Sequence, residues 1–261
     1  MELKELERYY LCNILGQLDV CHHKDIGLAI AMLKFEEFQR TFIYAQHSFL
    51  LGMKEEHKVS AGDGNNERAK KGYRFYHLRH AILDFNACYD FILQIVYFGC
   101  DFFDEIKSSE NYANELEKCK WITIKRKTQE LSGRSEMLEK LKAFYDGRGN
   151  YKKANHPLTY WTNQIKHRGG FIINELVDDS GKIEITNQKT GEIIFSSDYI
   201  KPICVSFQEI KNCLVYHNDK IVEYAEFLYI SLGLDNPCYL KREFSATQRI
   251  DTTDCIIKCK F

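Results

Sequence analysis

The chain is poor in the residues that interrupt secondary structure and lacks the motifs that announce a particular chemistry. Only 3 prolines and 15 glycines break up 261 residues, so long helices are allowed and a loop-rich architecture is excluded. The 10 cysteines include no CxxC pair, which removes the usual spacing of a structural zinc site. Cys255 and Cys259 stand alone at i,i+4, and Cys21-His22-His23 sets adjacent ligand types where tetrahedral geometry is hard to reach. Glycine-rich phosphate loops, serine nucleophile elbows and HExxH helices are absent, and the enzyme classes they serve lose their support. The opening MELKELERYY has neither the basic n-region nor the apolar h-region of a secretory signal, so a cytoplasmic protein with reduced thiols is expected. The most apolar run, Tyr89 to Phe103, contains Asp90, Gln94 and Asp101. It falls short of the roughly 20 residues that span a bilayer, and is predicted as a buried helix with no membrane role.

What is present suffices for a folded core. Hydrophobic residues make up 44% of the chain, enough to offset chain entropy. Apolar positions Leu28, Met32, Phe35, Phe38, Phe42 and Phe49 follow helical spacing and predict a helix from Asp25 to about Lys54, after an earlier one over Glu2 to Leu18. Past the turn signals of KVSAGDGNN, a long helix is predicted from Glu67 to Ile106, apolar all round after about Cys88 and therefore central. Shorter helices are expected at Glu110 to Lys120, Ser135 to Asp146 and Asn155 to His167, the last two closed by Gly147 and Gly169.

The period then changes to two. Ile183 and Ile185 against Ile193 and Phe195, around a Thr-Gly turn, predict a β-hairpin over about residues 182–196. Ser206 and Glu209 form a capping box that opens a last long helix to Ser231, with Gly233 beyond its end. The expected fold is mainly α, a helical bundle with an appended hairpin, in one domain. Residues 1–58 supply N-terminal helices, 65–232 the bundle and 235–261 a tail.

Net charge is −1, but its distribution is uneven. From Lys118 to Arg168 there are 13 Lys and Arg against Glu130, Glu136, Glu139 and Asp146, a local balance of +9. Such asymmetry is the footprint of a surface that holds an anion. Lys118, Lys120, Lys125, Arg126 and Lys127 are its densest part. The stretch YWTNQIKHRGGF closes it. On a helix, Leu158, Trp161 and Ile165 share the core sector, while Asn163 and His167 are i,i+4 neighbours opposite, flanked by Tyr160 and Lys166. Arg168 follows. A second polar stripe, Tyr73, His77, His80 and Asp84, opposes the apolar face of the long helix. There a carboxylate next to an imidazole suits acid–base work or a metal ligand. His217 occupies a core slot between Leu214 and Ile221 and reads as a hydrogen-bonded core histidine.

The helical architecture together with the cluster ending in KHR resembles the HEPN superfamily over about residues 65–232. The family's motif is an Arg, a polar residue, and a His after four to six intervening positions. Asn163 matches the polar position and His167 the His. Thr162 stands where the family has Arg, and the nearest guanidinium, Arg168, follows the His. Arg74 and His80 have the right separation, but apolar Phe75 follows that Arg. The resemblance implies a homodimer that binds RNA or a nucleotide without a cofactor. It also implies metal-independent RNA cleavage, with His167 as base, Lys166 or Arg168 as cation and Asn163 orienting the imidazole. Two other readings stand beside it: a non-catalytic helical scaffold, and a metal-dependent enzyme using His77, His80 and Asp84.

Overall fold

The computed structural model describes residues 26–58, 66–130, 135–167, 170–177, 184–196 and 202–233. The expected helix over Glu2 to Leu18, the Cys21-His22-His23 triplet, Ile183, Arg168, and the tail with Cys255 and Cys259 lie outside them. Within them the protein is mainly helical with an appended hairpin. The α-helices are α1 (Ile26–Met53), α2 (Asn66–Gly99), α3 (Ser109–Lys118), α4 (Trp121–Glu130), α5 (Ser135–Asp146), α6 (Leu158–His167) and α7 (Phe207–Ser231). Four short strands lie between α6 and α7: β1 (Phe171–Ile173), β2 (Glu184–Thr186), β3 (Ile193–Ser196) and β4 (Ile203–Val205).

The described residues fall into two compact units, one of 45–86 and 148–217, the other of 26–44, 87–147 and 218–233. In the second unit the core is aromatic. The Phe144 ring of α5 is stacked between Tyr89 of α2 at 4.4 Å and Tyr224 of α7 at 4.5 Å. Phe35 of α1 meets Phe38 and Tyr229 edge-on at 6.1 and 6.0 Å. They pack among buried aliphatic side chains such as Ile92, Leu141 and Leu228, and a fully buried ring contributes on the order of 2–3 kcal/mol.

In the first unit, α1 and α2 approach closely at Gly52. A Cβ at that position would stand 2.5 Å from Leu78 Cγ, so only glycine fits the crossing. Trp161 of α6 is buried against Phe171 of β1, with ring centroids 6.0 Å apart. The capping box forms as expected: the Ser206 N–H donates to Glu209 Oε2 at 2.7 Å and the Glu209 N–H to Ser206 Oγ at 3.2 Å. The Glu175 carboxylate accepts from the Phe207 N–H, both oxygens at 3.1 Å, satisfying another donor of the α7 first turn. The hairpin also forms, with Ile185 opposite Phe195 and Gly191 at φ 71° in its turn.

Four expectations are corrected. Helix α2 stops at Gly99 rather than Ile106, because Asp101 takes a left-handed φ of 55°. The Phe102 N–H then returns to the Tyr97 carbonyl and the Asp101 N–H to that of Phe98, both at 3.0 Å. This closing motif normally uses glycine, and aspartate is one of the few other residues that tolerate it. Helix α6 begins at Leu158 rather than Asn155, with Pro157 immediately before it supplying a fixed φ at the boundary. The stretch from Trp121 is a helix of its own, α4, where no element was expected. Finally, β1 and β4 pair in parallel, Phe171 with Ile203 and Ile173 with Val205, across a separation that three-residue strands do not advertise. Helix α2 is long and apolar enough by composition to cross a bilayer, and most of that apolar stretch is buried within the protein.

Candidate nucleic-acid interface

Helix α6 is held at its start by a preceding turn. The N–H groups of Thr159 and Tyr160, which no helical carbonyl can reach, donate at 3.0 Å to the carbonyls of Arg148 and Gly149. Gly149 has φ 74°, and a Cβ there would collide with the His156 carbonyl. On the inner side, Leu158, Trp161 and Ile165 are buried. Thr159 donates to Asn86 Oδ1 at 2.8 Å, and the Thr162 hydroxyl lies 3.5 Å from the Ile82 carbonyl. Thr162 is 1% exposed, so the position where the HEPN-like motif has Arg is a packing position with no room for a guanidinium.

On the outer side, Asn163, Lys166 and His167 are exposed and Tyr160 is half-buried. No hydrogen bond joins Asn163 to His167. They share a helix face, as the spacing predicts, without forming a preorganised pair.

The basic window separates into committed and uncommitted cations. Lys118 pairs with Asp104 at 2.9 Å and with Glu115 at 2.7 Å. Lys127 donates to the Phe102 carbonyl and lies over the Tyr97 ring at 5.7 Å. Lys140 pairs with Glu136 at 3.1 Å and covers the Phe227 ring at 4.0 Å. All three are thus engaged with partners in their own unit. By contrast, the side chains of Lys120, Lys125, Arg126 and Lys142 in that unit make no ion pair or hydrogen bond among the described residues. The same is true of Lys152, Lys153 and Lys166 in the other unit. Of these seven, all but the half-buried Lys125 are exposed. Helix α4 explains the division: its buried positions Ile124 and Thr128 fix one face, while Trp121 stacks on Tyr145 of α5 at 5.1 Å.

The turn after Gly149 carries a feature that sequence patterning passed over. Tyr151 is 76% exposed, directly before Lys152 and Lys153. A solvent-facing phenol flanked by free ammonium groups is the local composition of a single-strand nucleic-acid contact. Its only sequence signal is the YKK triplet in a Gly/Asn-bounded loop.

The second stripe is arranged differently from the expectation. His77 and His80 are half-buried and each faces a tyrosine: Tyr73 lies 4.3 Å from His77, and Tyr76 lies 4.3 Å from His80. Burial raises the Asp84 carboxyl above its usual range, with His80 opposing, yet no hydrogen bond joins Asp84 to His80. Among the described residues no group of three or more His, Cys, Asp and Glu side chains is placed to hold a metal ion. The metal-dependent reading therefore has no ligand set there. Arg74 is also committed: its Nε donates to the Gly52 carbonyl at 3.1 Å and its guanidinium covers the Phe207 ring at 4.3 Å. It caps the end of α1 and does not face His80 as a catalytic partner would. Compared with protein-family models, curated proteins and solved structures, the chain matches none of them.

Proposed function

We propose that the protein binds RNA or another nucleotide polyanion through the cations its fold leaves uncommitted. The observation that carries this reading is the division of the basic window. Lys118, Lys127 and Lys140 each have a partner within their unit, whereas Lys120, Arg126 and Lys142 in that unit, and Lys152, Lys153 and Lys166 in the other, are exposed without carboxylate partners among the described residues. Unpaired ammonium and guanidinium groups displace counterions from phosphates, and Tyr151 offers a base a face to stack on. On the HEPN-like resemblance of α6 we further propose that His167 acts as base and Lys166 or Arg168 as cation in metal-independent cleavage, within a cytoplasmic homodimer. Thr162 in place of the Arg weakens cleavage relative to binding.

The experiment is a titration of fluorescently labelled single-stranded RNA with the full chain at low and moderate salt. Affinity is expected to fall steeply with salt. Absent or salt-insensitive binding leaves the scaffold reading. Product analysis on the same samples, with His167→Ala beside the parent, decides cleavage: activity kept by His167→Ala removes His167 as the base. Light scattering tests the dimer, and a monomer mass at micromolar concentration removes any site shared across a two-fold axis.

A further inference from the structure

Five side-chain rings of the first unit form a ladder in which imidazole and phenol alternate. His57 lies 4.6 Å from Tyr73, Tyr73 4.3 Å from His77, His77 5.2 Å from Tyr76, and Tyr76 4.3 Å from His80. Helical spacing builds most of it, since Tyr73 with His77 and Tyr76 with His80 are i,i+4 pairs on α2. His57 arrives from the segment after α1. Both neighbours of its Nε2 are carbonyl oxygens, Leu51 at 2.9 Å and Lys54 at 3.0 Å, so Nε2 carries the hydrogen and donates. Leu51 lies in the last turn of α1 and Lys54 directly follows it. His57 therefore fastens the end of α1 to the face of α2.

His77 stands at the centre of the ladder. Its Nδ1 is buried without a hydrogen-bond partner. The groups whose charge acts on it are all bases: His47 from α1, His57 from the following segment and His80 from α2. Nearby carboxylates act elsewhere, Glu55 and Glu175 on Arg74, Glu56 on Lys70 and Asp84 on His80. A proton arriving on His77 meets burial and the repulsion of any neighbouring imidazole that is charged, and among the described residues no carboxylate is among the groups acting on it.

We propose that this ladder is a proton-sensitive latch: a neutral His77 at its centre keeps the end of α1 against α2, and protonation of His77 releases it. The direction follows from linkage. Burial first, then His47, His57 and His80, hold His77 below its ordinary value of 6.5. Its contribution is therefore complete above that value and is lost as pH falls through the folded-state value.

Hydrogen–deuterium exchange of the full chain, corrected for intrinsic rates, tests the latch at about pH 7.5 and about pH 5.5. Opening of peptides covering residues 45–58 and 66–84 is expected to rise between about two- and tenfold per pH unit below the ordinary histidine value, because one extra proton per opening gives at most about tenfold. Peptides from α4 and α5 serve as the internal comparison. His77→Phe keeps a ring and removes the base, so it should abolish the rise. Unchanged protection in the parent, or a rise retained by His77→Phe, overturns the proposal. Should the variant fail to fold, an NMR titration of the parent His77 ring decides: a midpoint below 6.5 supports the latch, and one at or above it overturns it.

Discussion

The Tyr97 hydroxyl donates a 2.6 Å hydrogen bond to Glu115 Oε2, and both side chains are buried. Burial alone would raise the Glu115 carboxyl, but hydrogen bonds from Lys118 and Tyr97 outweigh it and hold the group below its usual range. A buried carboxylate is thus kept ionised by one phenol and one ammonium. Tyr97→Phe removes the phenol and is expected to cost about 1.5–3 kcal/mol, the range for hydrogen bonds to charged groups. The stability carried by ionised Glu115 is present above its ordinary value of 4.5 and is lost as pH falls through its lower folded value. In Tyr97→Phe that loss should begin at higher pH. Urea unfolding from neutral pH to about pH 4 reads both effects, and parallel profiles for parent and variant would sink the assignment.

Gly149 sets the start of α6. Its φ of 74° is costly for any residue with a Cβ, and that Cβ would strike the His156 carbonyl. Gly149→Ala should destabilise by more than about 2 kcal/mol, combining backbone strain with a clash against a fixed carbonyl. Gly191→Ala has a similar φ but open space around it, and should cost only about 1–2 kcal/mol. Equal costs at the two positions would show that the close approach contributes nothing.

His217 is buried, with its Nε2 3.2 Å from the His156 carbonyl. Burial drops its imidazole to about 4 from an ordinary 6.5. Its contribution is complete above 6.5 and declines as pH falls toward 4, at no more than about 1.4 kcal/mol per pH unit. His217→Gln retains a donor and removes the titration, so its stability should fall less steeply over that window. Identical slopes would show that His217 does not titrate as a buried neutral base.

The uncommitted cations and the committed ones should behave differently toward RNA. The double variant Lys152→Ala with Lys153→Ala is expected to lower the salt dependence of binding by roughly 1.4, at about 0.7 per phosphate contact on a single strand. Tyr151→Ala should cost about 1–3 kcal/mol of affinity without changing that slope, because stacking is not ionic. Lys127→Ala should instead weaken folding, since Lys127 holds the Phe102 carbonyl. Binding that depends on Lys127 and ignores Lys152 and Lys153 would invert the proposed division.

Much of the architecture is local information, and the sequence by itself determined it. The α5 bounds, the Ser206–Glu209 capping box, the hairpin and the buried stripe from Phe35 to Phe49 follow from patterns within a few residues. Trp161 inward with Asn163 and His167 outward is likewise a matter of 100° per residue. The tertiary structure decided everything that depends on a partner far along the chain. Three-residue strands such as β1 and β4 carry too little periodicity to be seen until they pair, and they pair across 32 positions, Phe171 with Ile203. Asp101 ends α2 in a conformation usually marked by glycine, so no residue type flagged the stop. Above all, thirteen cations look alike in a sequence. Only the packed chain shows that Lys118 meets Asp104 and Glu115, that Lys127 meets Phe102, and that Lys152 and Lys153 meet solvent, because ion pairing is set by distance in space and a charge count contains none.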